Sequence, residues 1–425
     1  MQIMMKPTTI FALGIFLLIL LVAHFTHSSE NAADSWSQFR GSNRDGVSKS
    51  TATIKAWGEE GPALVWKREI GPAFSGIATY GRELITSFGA DSAEYVASFN
   101  SATGEEKWRC AIDTIFTDDL GNVGPRSTPT VDGNQVFAIS SNGSFAALNC
   151  ENGSKIWEVD LVSRYSIKVP RRGLTTSPLV LDELVIVHAG GGDGKAIIAL
   201  NKESGGIVWE VGDAGISNSS PFVTTIAGIR QIVFTVTRDV EKDGRKQGVN
   251  STISVSPQGE LLWKGPSLPG VIAMPVFIAP DKIFVSGSID DGCVVFQIVP
   301  RGDTLAVQEV WKNREMKNHF SSSILYKKHI YGFSKSTLKC LDAATGKRKW
   351  RTRGFGKGAL IVADDKLLVL SDRGKLALIA ASAESFRQLA VAQVLNGKSW
   401  TSPTISEGRL YVRNQKEMAC YDLTR

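Results

Sequence analysis

Seven of the ten tryptophans in this chain recur at one station of a repeated unit, and that recurrence restricts the fold more than any other feature. The segments SATGEEKW (101–108), CENGSKIW (150–157), KESGGIVW (202–209) and AATGKRKW (343–350) each set a glycine four residues ahead of a tryptophan. PQGELLW (257–263) keeps that spacing in a turn one residue shorter, and Trp66 and Trp311 end similar strands without the glycine. Successive members of the series Trp66, Trp108, Trp157, Trp209, Trp263, Trp311 and Trp350 lie 42, 49, 52, 54, 48 and 39 residues apart. That period is one four-stranded antiparallel unit with its loops. Pairs of helices have similar periods, but 135–139 and 282–285 alternate apolar and polar residues with period two, which excludes them. The glycine marks a hairpin that needs a positive φ, as in Ala102-Thr103-Gly104.

A second signature opens each unit: Ser127-Thr128-Pro129, Thr176-Ser177-Pro178, Ser219-Ser220-Pro221, Ala273-Met274-Pro275, Ser321-Ser322-Ser323 and Thr401-Ser402-Pro403. Small residues and proline suit the start of an innermost strand crowded about an axis. Eight units follow, beginning near Gly76, Thr128, Ser177, Ser220, Met274, Ser322, Gly358 and Ser402. The last exhausts the chain after three strands, and the N-terminal strand 63–70 with Trp66 supplies its fourth, closing the ring without an open edge. The expected fold is all-β: an eight-bladed β-propeller of four-stranded antiparallel blades over residues 63–425. Unit seven lacks the tryptophan in its closing strand (385–390), which makes its seam with unit eight the weakest.

The repeat resembles the tryptophan-docking repeat of quinoprotein-type (PQQ-like) β-propellers, over about residues 63 to 425. The resemblance implies that Trp108, Trp157, Trp209, Trp263, Trp311 and Trp350 pack flat between neighbouring blades, with Trp66 in the equivalent place. An indole buries roughly 150–250 Å², which is several kcal/mol before entropy, so the motif serves stability first. Exported members often begin with a segment like Trp36–Gly46, so residues 34–62 read as a strap packed on the ring, anchored by Trp36 and Phe39.

Residues 10–25 are almost wholly apolar, follow the single cation Lys6 and precede a polar stretch, which is the form of an export signal. The run lies between a cleaved signal peptide, ending near Ser28 or Ala33, and an uncleaved N-terminal anchor. Residues 1–33 are therefore read as leader or membrane anchor, and the chain as exported to the periplasm or cell envelope. Its five cysteines, Cys110, Cys150, Cys293, Cys340 and Cys420, are scattered, odd in number and set in apolar strand patterns, so buried free thiols are expected in place of disulfides or a metal site. None lies near the leader, so no lipobox cysteine is present. The net charge of +6 decides no partner by itself.

Nucleophile-elbow, zincin, phosphate-loop and dinucleotide signatures are absent from the sequence. The acidic stretch 239–244 and the glycine-rich 190–194 read as hairpins, since neither has calcium-loop spacing. The residues just ahead of the inner strands ring the channel mouth: Arg126, Lys168, Arg171, Arg172, Asn218, Lys317, His319, Lys357, Lys398 and Trp400, with Tyr165, Phe320 and Phe355 nearby. Cations recur there and acids do not, so Arg126, Lys168, Arg171, Arg172, Asn218, His319, Lys357 and Trp400 form a candidate anion site, against the alternative of a solvated basic rim. Quinoprotein dehydrogenases hold PQQ and calcium over the channel on a tryptophan floor, beneath adjacent cysteines and with an acid cluster. Trp400 could be such a floor, but no adjacent cysteine pair exists. The reading that results is a non-catalytic, monomeric envelope scaffold similar to the outer-membrane-protein assembly (BamB-like) propellers, whose partners are other envelope proteins or an anionic ligand. A PQQ-dependent dehydrogenase and a binder of acidic polysaccharide are the alternatives. Nucleic acid is not expected as a partner, for want of a basic, aromatic-interleaved groove.

Overall fold

The computed structural model describes residues 36–242, 245–288 and 292–425. The chain divides into units Met1–Ala32 and Ala33–Arg425. The leader and the tip of the 239–244 hairpin, at 243 and 244, lie outside the described residues. Among the described residues no helix is long and apolar enough to cross a membrane.

Eight four-stranded antiparallel sheets make up the second unit. We number these blades I to VIII; their inner strands begin at Ala78, Thr130, Leu179, Phe222, Val276, Ile324, Ala359 and Thr404, one or two residues after the starts read from sequence. Blade VIII takes its outer strand, Ala63–Glu69, from the N-terminal side, where Trp66 pairs with Cys420 of the last strand of the chain. The eight-bladed propeller closed by its N-terminal strand is therefore present as expected. A five-residue helix, Leu161–Tyr165, follows blade II, capped by the Asp160 carboxylate accepting from the Ser163 amide.

The small residues ahead of the inner strands link the blades by hydrogen bonds. The amides of Gly76, Thr128, Ser177 and Met274 donate to the hydroxyls of Thr128, Ser177, Ser220 and Ser322, each on the following blade, at 2.9–3.0 Å. The series is interrupted where the next blade offers Met274, Gly358 or Gly76, none of which has a hydroxyl, and also between Gly358 and Ser402.

Farther out, six indoles reach across a seam. The Nε1–H groups of Trp66, Trp108, Trp157, Trp209, Trp311 and Trp350 donate to the carbonyls of Ser101, Cys150, Lys202, Pro257, Ala343 and Ser382 in the next blade's turn. In four of these turns the preceding residue is Asn or Asp, as at Asn201, whose side chain accepts the next turn amides, Glu203 and Ser204. The glycine then lies beneath the ring: at Gly104 and Gly205, both with positive φ, an added Cβ would sit 2.6–2.7 Å from Trp66 and Trp157. The residue paired with the tryptophan on the neighbouring strand is small in six of the seven cases, including Ala147, Ala199, Cys340 and Cys420, and is Val295 opposite Trp311. Trp263 differs, since it donates to Gln231 Oε1 within its own blade at 2.6 Å.

Residues 36–62 do more than pack on the outside. Trp36 and Ser37 bond to the far ends of the inner strands of blades I and II, through Thr79 and Val131. Arg40 and Arg44 are buried on the axis. Arg44 donates to carbonyls of Ser177, Pro178 and Pro221 on blades III and IV, and Arg40 to Ser323 on blade VI. Val47 then pairs in parallel with Val362 of blade VII. The strap thus stoppers one end of the ring. Beyond it, the Lys55 amide donates to the carbonyl of Leu423 at 2.8 Å, the position after Asp422 that matches the indole acceptors on other blades. Ile54 and Trp57 fill the apolar core between blades VII and VIII. The seam that lacks a tryptophan is therefore bridged by the strap.

Candidate functional site

All five cysteines are free, four of them buried and Cys110 half-buried. Among the described residues no cluster of His, Cys, Asp and Glu could hold a metal ion. Attention falls on the unstoppered end, where the loop or strand start ahead of every inner strand contributes to a cavity of about 470 Å³ floored by Phe39 and Arg40. That volume is within the usual range for small-ligand pockets.

Six of the eight residues expected at an anion site line this cavity: Arg126, Arg172, Asn218, His319, Lys357 and Trp400. Lys168 and Arg171 are exposed on the loop before blade III, outside it. Tyr165 turns away to donate to Glu210 at 2.6 Å, and Phe355 is buried in the core between blades VI and VII.

One expectation needs correcting. The mouth is not free of acids, because Asp118 and Asp119 in the loop between blades I and II meet its arginines. Asp118 Oδ1 accepts the amides of Leu120 and Asn122 at 2.8 and 2.9 Å, while Oδ2 accepts Arg126 at 2.7 Å and Arg172 at 2.8 Å. Asp119 takes Arg172 at 2.8 Å and also pairs with Arg171. Burial opposes ionisation of Asp118, but the Asn122 and Leu120 amides and the Arg172 guanidinium outweigh it and hold the carboxyl well below its ordinary range. Sequence gave little notice of this, since Asp118 stands eight residues ahead of Arg126 and fifty-four ahead of Arg172. The signal available was the Asp-x-Leu-Gly-Asn run, which has the composition of an Asx-capped turn.

The adjoining wall is aromatic, with Arg126 over its Phe74 ring at 5.3 Å. Phe74 stacks on Trp400 with centroids 5.6 Å apart, and Phe320 lies against the same indole at 4.9 Å, with His319 edge-on to Phe320 at 5.2 Å. Lys398 sits over Trp400 at 4.7 Å. Burial, and then the charge of Lys357, push the His319 imidazole below its ordinary value, so it is neutral at pH 7. Lys357 is exposed and forms no ion pair among the described residues.

These residues do not fit a quinone with calcium. Among the described residues Asp118 is the one carboxylate in the lining, and both its oxygens are engaged by donors, two of them guanidinium groups, so it is a poor base and a poor metal ligand. Three side chains already crowd Trp400, the proposed floor. What the arrangement offers is recognition: fixed guanidinium and amide donors next to an apolar aromatic cluster, with ammonium groups beside it.

The sequence matches the family described as outer membrane protein assembly factor BamB over residues 50–166, 92–352 and 334–424. An outer membrane protein assembly factor BamB of Shewanella oneidensis is 24% identical over 370 residues, 75% of this chain and 89% of that protein. In structure the chain is similar to BamB from Moraxella catarrhalis, with a TM-score of 0.57 at 14% identity over 84% of this chain and 97% of the other. It is also similar to the quinohemoprotein alcohol dehydrogenase of Comamonas testosteroni, with a TM-score of 0.63 at 11% identity over 92% and 81%. At such identities these two likenesses speak for the fold alone.

Proposed function

The chain belongs to the outer membrane protein assembly factor BamB family, and from that membership we propose that it is an exported, monomeric and non-catalytic scaffold that holds another envelope protein of the outer-membrane assembly apparatus. One observation carries the choice of surface. The ring is stoppered at one end by its own residues 36–47, while the loops of all eight blades converge at the other. At the open mouth a partner meets fixed groups contributed by all eight blades. Leu120 stands on that rim with 67% of its surface exposed, on a loop pinned by Asp118, which is the form of an interface anchor.

In cells carrying only the variant protein, Leu120→Glu should lower the amount of assembled outer-membrane protein. Val208→Glu, on an exposed outer strand of blade III, should not. Equal assembly with both variants would remove the mouth from the reading. The scaffold also needs no quinone: PQQ and calcium added to purified protein should leave the quinone absorbance unshifted and reduce no dye with alcohols. A shifted spectrum with turnover would favour a dehydrogenase.

A further inference from the structure

We propose that the mouth cavity, apart from any protein partner on its rim, binds an acidic sugar: a ring bearing hydroxyls and a carboxylate or phosphate, such as the end of an acidic polysaccharide. Three features of the cavity select that chemistry together. The Phe74, Trp400 and Phe320 rings, from the loops ahead of blades I, VIII and VI, pack into one aromatic cluster on which the C–H groups of a sugar ring can rest without the open indole face that a flat quinone needs.

Across from it stand hydroxyl and amide groups. Thr175 donates to Asn218 Oδ1 at 3.0 Å, and no hydrogen bond among the described residues uses the Asn218 amide nitrogen. Ser402 and Ser322 add hydroxyls to the same lining. A purely aromatic anion would cover these groups without satisfying them, at a cost in affinity for each. A polyol returns their hydrogen bonds.

The third feature is charge. Arg126 and Arg172 are already matched by Asp118 and Asp119, so they act as fixed donors and carry little uncompensated charge. Among the described residues Lys357 lines the cavity without an ion pair, and the Lys398 ammonium has only the neutral Asn122 side chain and the Trp400 face. A neutral sugar leaves both ammonium groups unmatched; one anionic substituent beside the aromatic wall meets them in charge-assisted hydrogen bonds.

Calorimetric titration of the full chain with trigalacturonate, glucose 6-phosphate, maltotriose and 2-naphthoate tests the assignment. Saturable binding of trigalacturonate or glucose 6-phosphate is expected, weakening as salt is raised, and the stronger of the two identifies the anionic group. Maltotriose and 2-naphthoate should each bind at least about tenfold more weakly. Lys357→Met, at an exposed position where folding is not at risk, should weaken the acidic sugar about tenfold. Trp400→Ala should weaken acidic and neutral sugars alike. No saturable binding of either acidic sugar, tighter binding of 2-naphthoate, or an affinity indifferent to Lys357→Met would overturn the proposal. The assembly assay reads partner binding in cells, whereas these titrations use the purified chain and small ligands alone, so either reading can fail without the other.

Discussion

Glu94 lies wholly out of solvent in blade I, where one carboxylate oxygen accepts the Ser141 amide of blade II at 2.8 Å. Burial, only partly offset by that hydrogen bond, raises its carboxyl from 4.5 to about 7. The native state therefore keeps a proton that the unfolded chain has lost, and this contribution to stability falls as pH rises from about 4.5 through 7. His188, buried on blade III edge-on to Phe234, has the opposite sign. Burial lowers its imidazole from 6.5 to about 4, so its contribution is lost as pH falls from 6.5 towards 4. Relative to the parent protein, Glu94→Gln should gain stability with rising pH, by up to a few kcal/mol above pH 7. His188→Phe should gain it with falling pH. Denaturant unfolding at pH 4.5, 6 and 7.5 reads both slopes, and slopes of the same sign would contradict the assignment. Neither residue was legible in the sequence, because a charge on a strand reads as solvent-facing until the neighbouring blade is known to cover it.

At the scale of the blade, sequence was most informative. A glycine that must take a positive φ and leave room for an indole, followed at fixed distance by that indole, is a local constraint, and local constraints recur visibly. Gly205→Ala violates both parts at once and should cost at least about 1 kcal/mol, read as a lowered unfolding midpoint. The partner of six of the seven indoles is a backbone carbonyl, which no side-chain pattern announces. Hence the turn of Trp263 towards Gln231 could not be anticipated, nor could Lys55 standing in for the indole missing between blades VII and VIII. Lys55→Pro removes that amide donor. It should destabilise by about 1–2 kcal/mol and speed amide exchange first in the outer strand of blade VII, Gln388–Gln393. Uniform acceleration over all blades would deny the strap this local role.

For the whole molecule, the strap gives the ring two unlike ends. Its path through the axis escaped the sequence reading because Arg40 and Arg44 look like surface cations; only the assembled carbonyls of three blades make them interior residues. Burial lowers the Arg44 guanidinium to about 9 with no carboxylate opposed to it, so its hydrogen bonds alone retain it. Arg44→Met should cost at least about 2 kcal/mol and expose residues 36–47 to limited proteolysis. Six of eight mouth residues were legible, since propeller geometry gathers whatever precedes the inner strands. The Asp118 pairing was hidden in a long loop. The account as a whole holds that the ring works through its open mouth, and photocrosslinking in living cells tests this most directly. A photoreactive amino acid at Leu120 should capture an outer-membrane assembly protein, while the same probe at Leu64, exposed on the outer strand of blade VIII, should capture none. Capture at Leu64 with silence at Leu120 would contradict it.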